Sequence, residues 1–347
     1  MFNFIKEGII LHKTDLTFEN ESVLNPAIMQ EGDTLHMFYR AVRHGNFSTI
    51  GYCRLHGPMN VVDRMEEPLL SPLYDYESHG IEDPRIVKID DLYYLTYTAY
   101  DGANAMGALA TSKDLVTFER HGIITPQISH EEFQKLAESN CALNEKYKRF
   151  YNYNKNAVCS EVNLLLWDKN VIFFPKKINN KFYFLHRIKP DIQIACVDSI
   201  DNFTSEFWEN YLSHFEASII LSPKYEHEIS YIGGGCPPIE TEVGWLLIYH
   251  GVCDTAEGYI YSACVALMDL ENPAIEIARL PYPLFRPQLE WELKGYVNNV
   301  VFPTGTATFG NTLYIYYGAA DQCIAVASLH LDELLKELLI HKRNRNE

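Results

Sequence analysis

Residues 90–112 read DDLYYLTYTAYDGANAMGALATS. A polar turn opens an aromatic run, a second short turn follows, and a run of small apolar residues closes the stretch. Runs of about 5–7 residues rich in Tyr, Leu and Thr and bounded by turn residues read as antiparallel strands. The same grammar recurs in GDTLHMFYRAV with STIGYCRL, in NNKFYFLHRIKPDIQIACV, in VGWLLIYHGV with GYIYSACVALMD, and in GNTLYIYYGAADQCIAVASL. The aromatic strands begin near Asp33, Asp91, Asn180, Gly244 and Asn311, so insertions of unequal length separate the units.

Five such units predict an all-β chain, a five-bladed β-propeller forming one domain over residues 1–347. Radial repetition leaves only short, protected sheet edges. A single large sandwich is the alternative. It ranks second because each aromatic strand ends on a polar residue: Arg40, Asp101, Arg187, His250 and Asp321. In a propeller those ends converge on one mouth of the central channel. Two stretches break the pattern. Residues 127–157 start as a helix, with Ser129 and Glu132 at capping-box spacing, and read equally as a lid or as a structural prop. Residues 330–347 read as an amphipathic helix on the flank, followed by a basic tail.

Composition narrows the function. A formal charge of −17 argues against nucleic acid and against an anionic membrane surface, since both need clustered Lys and Arg. Eight cysteines occur without a C-x-x-C pair, which argues against a zinc site or redox dithiol and suits a reducing compartment. The N-terminus lacks a secretory pattern and no run reaches membrane-spanning length, so a soluble, cytoplasmic protein is expected, or a periplasmic one had a signal been removed. No His/Cys/Asp cluster has ligand spacing, so neither metal nor organic cofactor is expected. Gly233–Gly235 lack the Lys-Ser/Thr of a phosphate-binding loop.

Residues 81–85, IEDPR, place two acids before a proline and an arginine at the entrance to the second aromatic strand. Pro84 biases Asp83 towards an extended backbone, which puts Asp83 and Arg85 on one side and Glu82 on the other. An acid beside a guanidinium stays ionised, whereas one buried among rings holds its proton. The competing reading is a structural ion pair that stitches the start of the strand.

GIEDPRI, FFPKKINNKFYFLHR, GGGCPPIETEVGWLLIYHGV and VVFPTGTATFGNTLYIYYGAAD, in that order, resemble glycoside hydrolase family 130 over nearly the whole chain outside 127–157. The resemblance implies a five-bladed propeller acting on β-mannosides with inversion. It assigns Asp83 as proton donor, in some phosphorylases through a sugar hydroxyl. The family holds hydrolases and phosphorylases, which differ in what holds the acceptor. Phosphate needs cationic groups, and Arg40, Arg85, Lys169 and Arg187 stand at motif positions. Lys169, in WDKNVIFFP, keeps the lysine of the phosphorylases' N-K-D while its neighbours differ. Water needs a carboxylate base, with the two carboxyls of an inverting hydrolase about 6.5–9.5 Å apart. Glu228 is the first choice for that base, with Glu226 and Glu257 as substitutes; a solvated loop acid is its bland alternative. The insertion and the YIGGGCPPIET wording resemble the branch that hydrolyses β-1,2-mannosides. Hydrolysis is therefore the first reading, and phosphorolysis releasing mannose 1-phosphate, with inorganic phosphate as second substrate, the alternative.

Asn25, His250, Asp321 and the other channel-end residues are expected to bind sugar hydroxyls of a β-mannoside oligosaccharide. Tyr97, Tyr249 and Tyr316 read mainly as core. Arabinanase- and invertase-type propellers fit less well, because the first unit offers N-P-A-I without their aspartate. A non-catalytic propeller platform would have no need of convergent acid, arginine and histidine.

Overall fold

The structure, a computed structural model, describes residues 3–140, 142–157 and 164–342. Cys141, Cys159 and the tail beyond Lys342 lie outside them. Among the described residues, no helix is long and apolar enough to cross a membrane.

The strands fall into five antiparallel units. After β1 (Phe4–Leu11), unit I contains β2 (Ser22–Glu31), β3 (Thr34–Arg43), β4 (Phe47–His56) and β5 (Asn60–Arg64). Unit II contains β6 (Gly80–Ile89), β7 (Leu92–Tyr100), β8 (Ala105–Ser112) and β9 (Glu119–Ile123). Unit III contains β10 (Lys169–Phe173), β11 (Phe182–Arg187), β12 (Ile192–Val197) and β13 (Ile219–Leu221). Unit IV contains β14 (Tyr231–Gly234), β15 (Ile239–Thr241), β16 (Gly244–Thr255), β17 (Gly258–Met268) and β18 (Glu276–Arg279). Unit V contains β19 (Val301–Phe309), β20 (Thr312–Ala319) and β21 (Cys323–His330), and β1 pairs with β21 to complete it. Sequence reading saw the second and third strand of each unit, whose apolar runs are continuous. It missed the first, which a bulge interrupts in units I, II, III and V, and the fourth, which is short and half-exposed in units I and II.

Units I and II share one sheet through a single parallel bridge, Ser48 to Gly80. Gly80 has φ +137°, and a Cβ there would lie 2.8 Å from the Ser48 nitrogen, so only glycine permits this approach. Elsewhere the units pack face to face. Apolar clusters join I to II (Phe38, Ile50, Leu95), II to III (Tyr94, Phe173, Phe184) and III to IV (Leu185, Trp245, Tyr249). Two more join IV to V (Ile248, Val265, Ile315) and V back to I (Tyr316, Val326, Met37). Both faces of the central strands are therefore buried, which is why they read as unbroken apolar runs.

A polar device ties the outer edge of four units. A buried glutamate accepts from a tyrosine of the second strand and pairs with a cation of the outermost strand. Glu19 takes Tyr39 Oη (2.8 Å) and Arg64 (2.9 Å), and Glu77 takes Tyr97 Oη (2.6 Å) and Arg120 (3.0 Å). Glu292 takes Tyr317 Oη (2.7 Å) and Lys6 (2.5 Å), and Glu228 takes Tyr249 Oη and Arg279 (3.3 Å). Unit III differs: His186 sits between Asp168 (2.8 Å) and Tyr211 (2.6 Å).

The insertion forms α1 (His130–Ala137), capped by Ser129 and Glu132, and α2 (Glu145–Ala157). The C-terminal helix Leu331–Ile340 buries Leu334 and Leu338 on the flank of units IV and V.

Candidate active site

The first strands of units I, II and III each slip register at one residue. The slips fall between Leu24 and Ala27, between Glu82 and Arg85, and between Lys169 and Ile172. The residues inside them, Asn25, Asp83 and Asn170, have φ of +50°, +50° and +55°. Asn and Asp are the non-glycine residues that tolerate this left-handed backbone. All three line one cavity of about 220 Å³. Asp83 is therefore not extended: the bulge overrides the bias from Pro84 and turns its carboxylate inward.

Register explains the rest of the lining. Leu24, Glu82, Lys169, Gly233 and Phe302 pair with Arg40, Thr98, Arg187, His250 and Gly318 on the second strands. The counterpart of Arg40 in unit II is thus Thr98. Asp101 lies three positions further on and caps a turn, accepting from the nitrogens of Ala103 (2.8 Å) and Asn104 (2.6 Å). It does not line the cavity. In unit V the counterpart is Gly318, where a Cβ would lie 2.1 Å from Asn25 Oδ1, so glycine makes room for Asn25. Asp321 reaches the cavity from the following hairpin.

The cavity has an acid side and a cation side. On the acid side Asn25 Nδ2 donates to Asp83 Oδ1 (2.7 Å), and Arg40 donates to Glu82 (2.8 Å) and lies 3.7 Å from Asp83. Glu82, expected to face away, also meets Lys169 Nζ at 3.3 Å, so the same cations hold both acids. Burial works to raise the Asp83 carboxyl, but Arg40, Lys169 and Arg85 outweigh it and hold Asp83 below its ordinary range. Asp321 goes the other way. Burial, with the charges of Asp83 and Glu82, pushes it up to about 6 against the pull of Arg40.

On the cation side lie Lys169, Arg187 and Lys189, with Tyr231, Tyr261, Trp167 and Phe302 around them. Burial lowers Arg187, and burial with the charges of Arg187 and Lys169 pushes Lys189 well below an ordinary lysine. Behind them His250 accepts from Arg187 Nη1 (3.3 Å) and is kept neutral by burial and by Arg187, Arg85 and Lys189. Arg85 lies deeper still. Its Nε donates to Gly235 O (2.5 Å) and Nη1 to Pro84 O (2.8 Å), so it grips backbone rather than the Asp83 carboxylate. Arg85 Nη2, Arg187 Nε and His250 Nδ1 are buried with no hydrogen-bond partner. A buried cluster of cations with unused donors is a site built for an anion.

Asn25, Arg40, Asp83, Lys169, Arg187 and Asp321 thus come together as expected, while Arg85 and His250 support them from behind. Glu228 does not join them. It is fully buried, and besides Tyr249 and Arg279 it accepts from the Lys224 nitrogen (2.9 Å), so it is one of the four edge glutamates and has no capacity left to activate water. Glu226 and Glu257 are exposed and outside the cavity. Tyr97, Tyr249 and Tyr316 are core, each hydroxyl bound inside the protein. Sequence reading missed Trp167, Asn170, Lys189, Tyr231, Tyr261 and Phe302. Asn170 directly follows Lys169, the residue paired with Arg187, just as Asn25 follows Leu24 and Asp83 follows Glu82. Among the described residues His227, Glu228 and Cys264 are grouped closely enough to hold a metal ion, a cluster no spacing reveals. Arg279 already neutralises Glu228 there.

The family model for glycoside hydrolase 130, described as beta-1,4-mannooligosaccharide phosphorylase, matches residues 7–339. A 1,2-beta-oligomannan phosphorylase of Thermoanaerobacter sp. (strain X514) is 33% identical over 94% of this chain and 96% of its own. A beta-1,2-mannobiose phosphorylase of the same organism is 34% identical over 91% and 93%. The solved beta-1,2-mannobiose phosphorylase of Listeria innocua, in complex with beta-1,2-mannobiose, superposes with TM-score 0.73 at 23% identity over 98% of this chain and 100% of that one, a likeness of fold. With matching motifs along the sequence and relatives of this identity over nearly full length, the chain belongs to glycoside hydrolase family 130.

Proposed function

We propose that this protein is an inverting β-mannoside phosphorylase, acting on β-1,2-linked manno-oligosaccharides and built as a five-bladed propeller. The propeller reading rests on five units whose apolar interfaces run in a cycle from I to V and back to I. The observation that carries phosphorolysis over hydrolysis is the cation side of the cavity. Lys169, Arg187 and Lys189 face it together, and the carboxylate nominated to activate water, Glu228, is committed elsewhere. The named activities of the Thermoanaerobacter relatives support the same choice and the β-1,2 linkage.

In this reading the non-reducing mannosyl residue sits between Asp83 and the cations. A phosphate oxygen attacks its anomeric carbon while the bond to the leaving sugar breaks, and the leaving oxygen takes the proton of Asp83. The products are α-mannose 1-phosphate and a shortened oligosaccharide. Asp83 is held below its ordinary range by Arg40, Lys169 and Arg85. Phosphate bound to Lys169, Arg187 and Lys189 neutralises that field and lets Asp83 carry a proton, so the acid is armed only in the loaded site.

The test is product analysis of β-1,2-mannobiose, β-1,2-mannotriose and β-1,4-mannobiose, each with and without inorganic phosphate. Mannose 1-phosphate formed only with phosphate, and from the β-1,2 sugars, is the expected result. Free mannose released equally in both conditions would make the enzyme a hydrolase.

A further inference from the structure

The helical insertion reaches the cation side of the cavity from behind. Lys189 Nζ lies 3.9 Å from the centre of the Tyr231 ring and 5.5 Å from that of Phe150 on α2. The two rings meet edge to face at 5.5 Å and 85°, so the ammonium is bracketed by aromatic walls from two parts of the chain. Phe150 is 7% exposed and packs with Tyr231 and Val252. One turn earlier on α2, the buried Tyr147 donates to Asp191, at the end of the short turn that carries Lys189. The same turn is fastened by Gln193, which accepts from the Ile188 nitrogen (2.8 Å) and donates to the Ile188 oxygen (3.0 Å). Tyr147, Phe150, Lys169, Arg187 and Lys189 also share a second small cavity, behind the first. Helix α2 therefore sets aromatic side chains against these cations, and a lower local dielectric strengthens their pull on an anion.

We propose that the insertion is part of the phosphate site, with Phe150 a positioning residue that holds Lys189 against Tyr231, and Tyr147 fixing the turn beneath it. The inference rests on the phosphorylase reading and makes a separate claim. A lysine on a long flexible stem loses much of its advantage unless its head is held, and a second aromatic face supplies the hold. The insertion then acts on the anion and not on the sugar.

Calorimetric titration with inorganic phosphate alone measures this without turnover. Phe150→Ala is expected to weaken phosphate binding about tenfold. In steady state KM for phosphate rises by a like factor, with KM for β-1,2-mannobiose within about twofold of wild type and kcat retained at saturating phosphate. Phe150→Tyr, which keeps the ring, is expected to restore most of the affinity. Tyr147→Phe, a smaller change to the fold, shifts the phosphate constant in the same direction. Unchanged phosphate affinity in a folded Phe150→Ala, with wild type binding phosphate, sinks the inference and leaves the phosphorylase intact. Equal losses for phosphate and mannoside, or a lowered Tm alone, reduce the insertion to a prop. A wild type that binds no phosphate and releases mannose without it overturns the phosphorylase reading and this inference together.

Discussion

Asp83 shows how much one backbone angle decides. Its φ of +50° sets its carboxylate beside Asn25 and within 3.7 Å of Arg40, where the surrounding cations hold it below its ordinary range. Asp83→Asn is expected to lower kcat about 10³-fold while leaving Tm and phosphate binding near wild type, which stopped-flow or end-point assays with thermal melts can check. Asp321 is the opposite case. Its folded pKa of about 6 lies above the ordinary 3.8, so the folded state binds the proton more tightly than the unfolded chain. The stability it contributes is fully present below about pH 4 and is lost as pH rises through 6. Asp321→Asn should therefore melt higher than wild type at pH 7.5, by on the order of 2 kcal/mol, with the difference shrinking at pH 4.5. A difference independent of pH would refute this account.

The repeating element is a unit of sheet with a glutamate at its outer edge. Glu19, Glu77, Glu228 and Glu292 are alike in partners and nearly alike in spacing, lying 20, 20, 21 and 25 residues before the same tyrosine position of the second strand. Removing the charge of one leaves a buried arginine or lysine and a tyrosine hydroxyl to be satisfied. Glu228→Gln is expected to cost about 3 kcal/mol of stability by removing the buried carboxylate that Arg279 and Tyr249 share, leaving Arg279 with Glu276 alone, and to leave kcat of the remaining folded enzyme within a few-fold of wild type. Thermal melts and active-site-normalised rates separate those effects. A loss of kcat by orders of magnitude at unchanged Tm would restore Glu228 to the chemistry. Lone glutamates before an aromatic strand look identical in sequence whether they activate water or anchor an edge; burial and the cation on the outermost strand distinguish them.

At the scale of the whole molecule, one cavity collects residues from all five units, and no unit could make it alone. A neighbouring cavity of about 310 Å³ shares Arg40, Val297 and Asp321 with it and opens beside Tyr296, which is 60% exposed. It adjoins the first cavity at Arg40 and Asp321, and Lys169, Arg187 and Lys189 do not line it; in the proposed reaction the leaving sugars of an oligosaccharide would run there. Tyr296→Ala is expected to lower kcat/KM for β-1,2-mannotriose several-fold, through loss of an aromatic face, and to change that for mannobiose less than twofold. Initial rates on the two sugars check it; equal effects on both would place Tyr296 outside the path of the chain.

The sequence by itself determined the five units, the aromatic second strands, the insertion, the terminal helix and six residues of the cavity. Those features are local: strand periodicity, turn residues and motif wording are all written within a few neighbouring positions. Only the tertiary structure decided that Asp83 sits in a bulge, that Thr98 rather than Asp101 is the unit II counterpart of Arg40, and that Glu228 anchors an edge. It alone brought Lys189 between Tyr231 and Phe150, residues 42 and 39 positions away from it in the chain. The physical reason is register. Side chains alternate faces along a strand, so a one-residue slip changes what each one meets, and which residues converge at the centre depends on packing between units that are far apart in sequence.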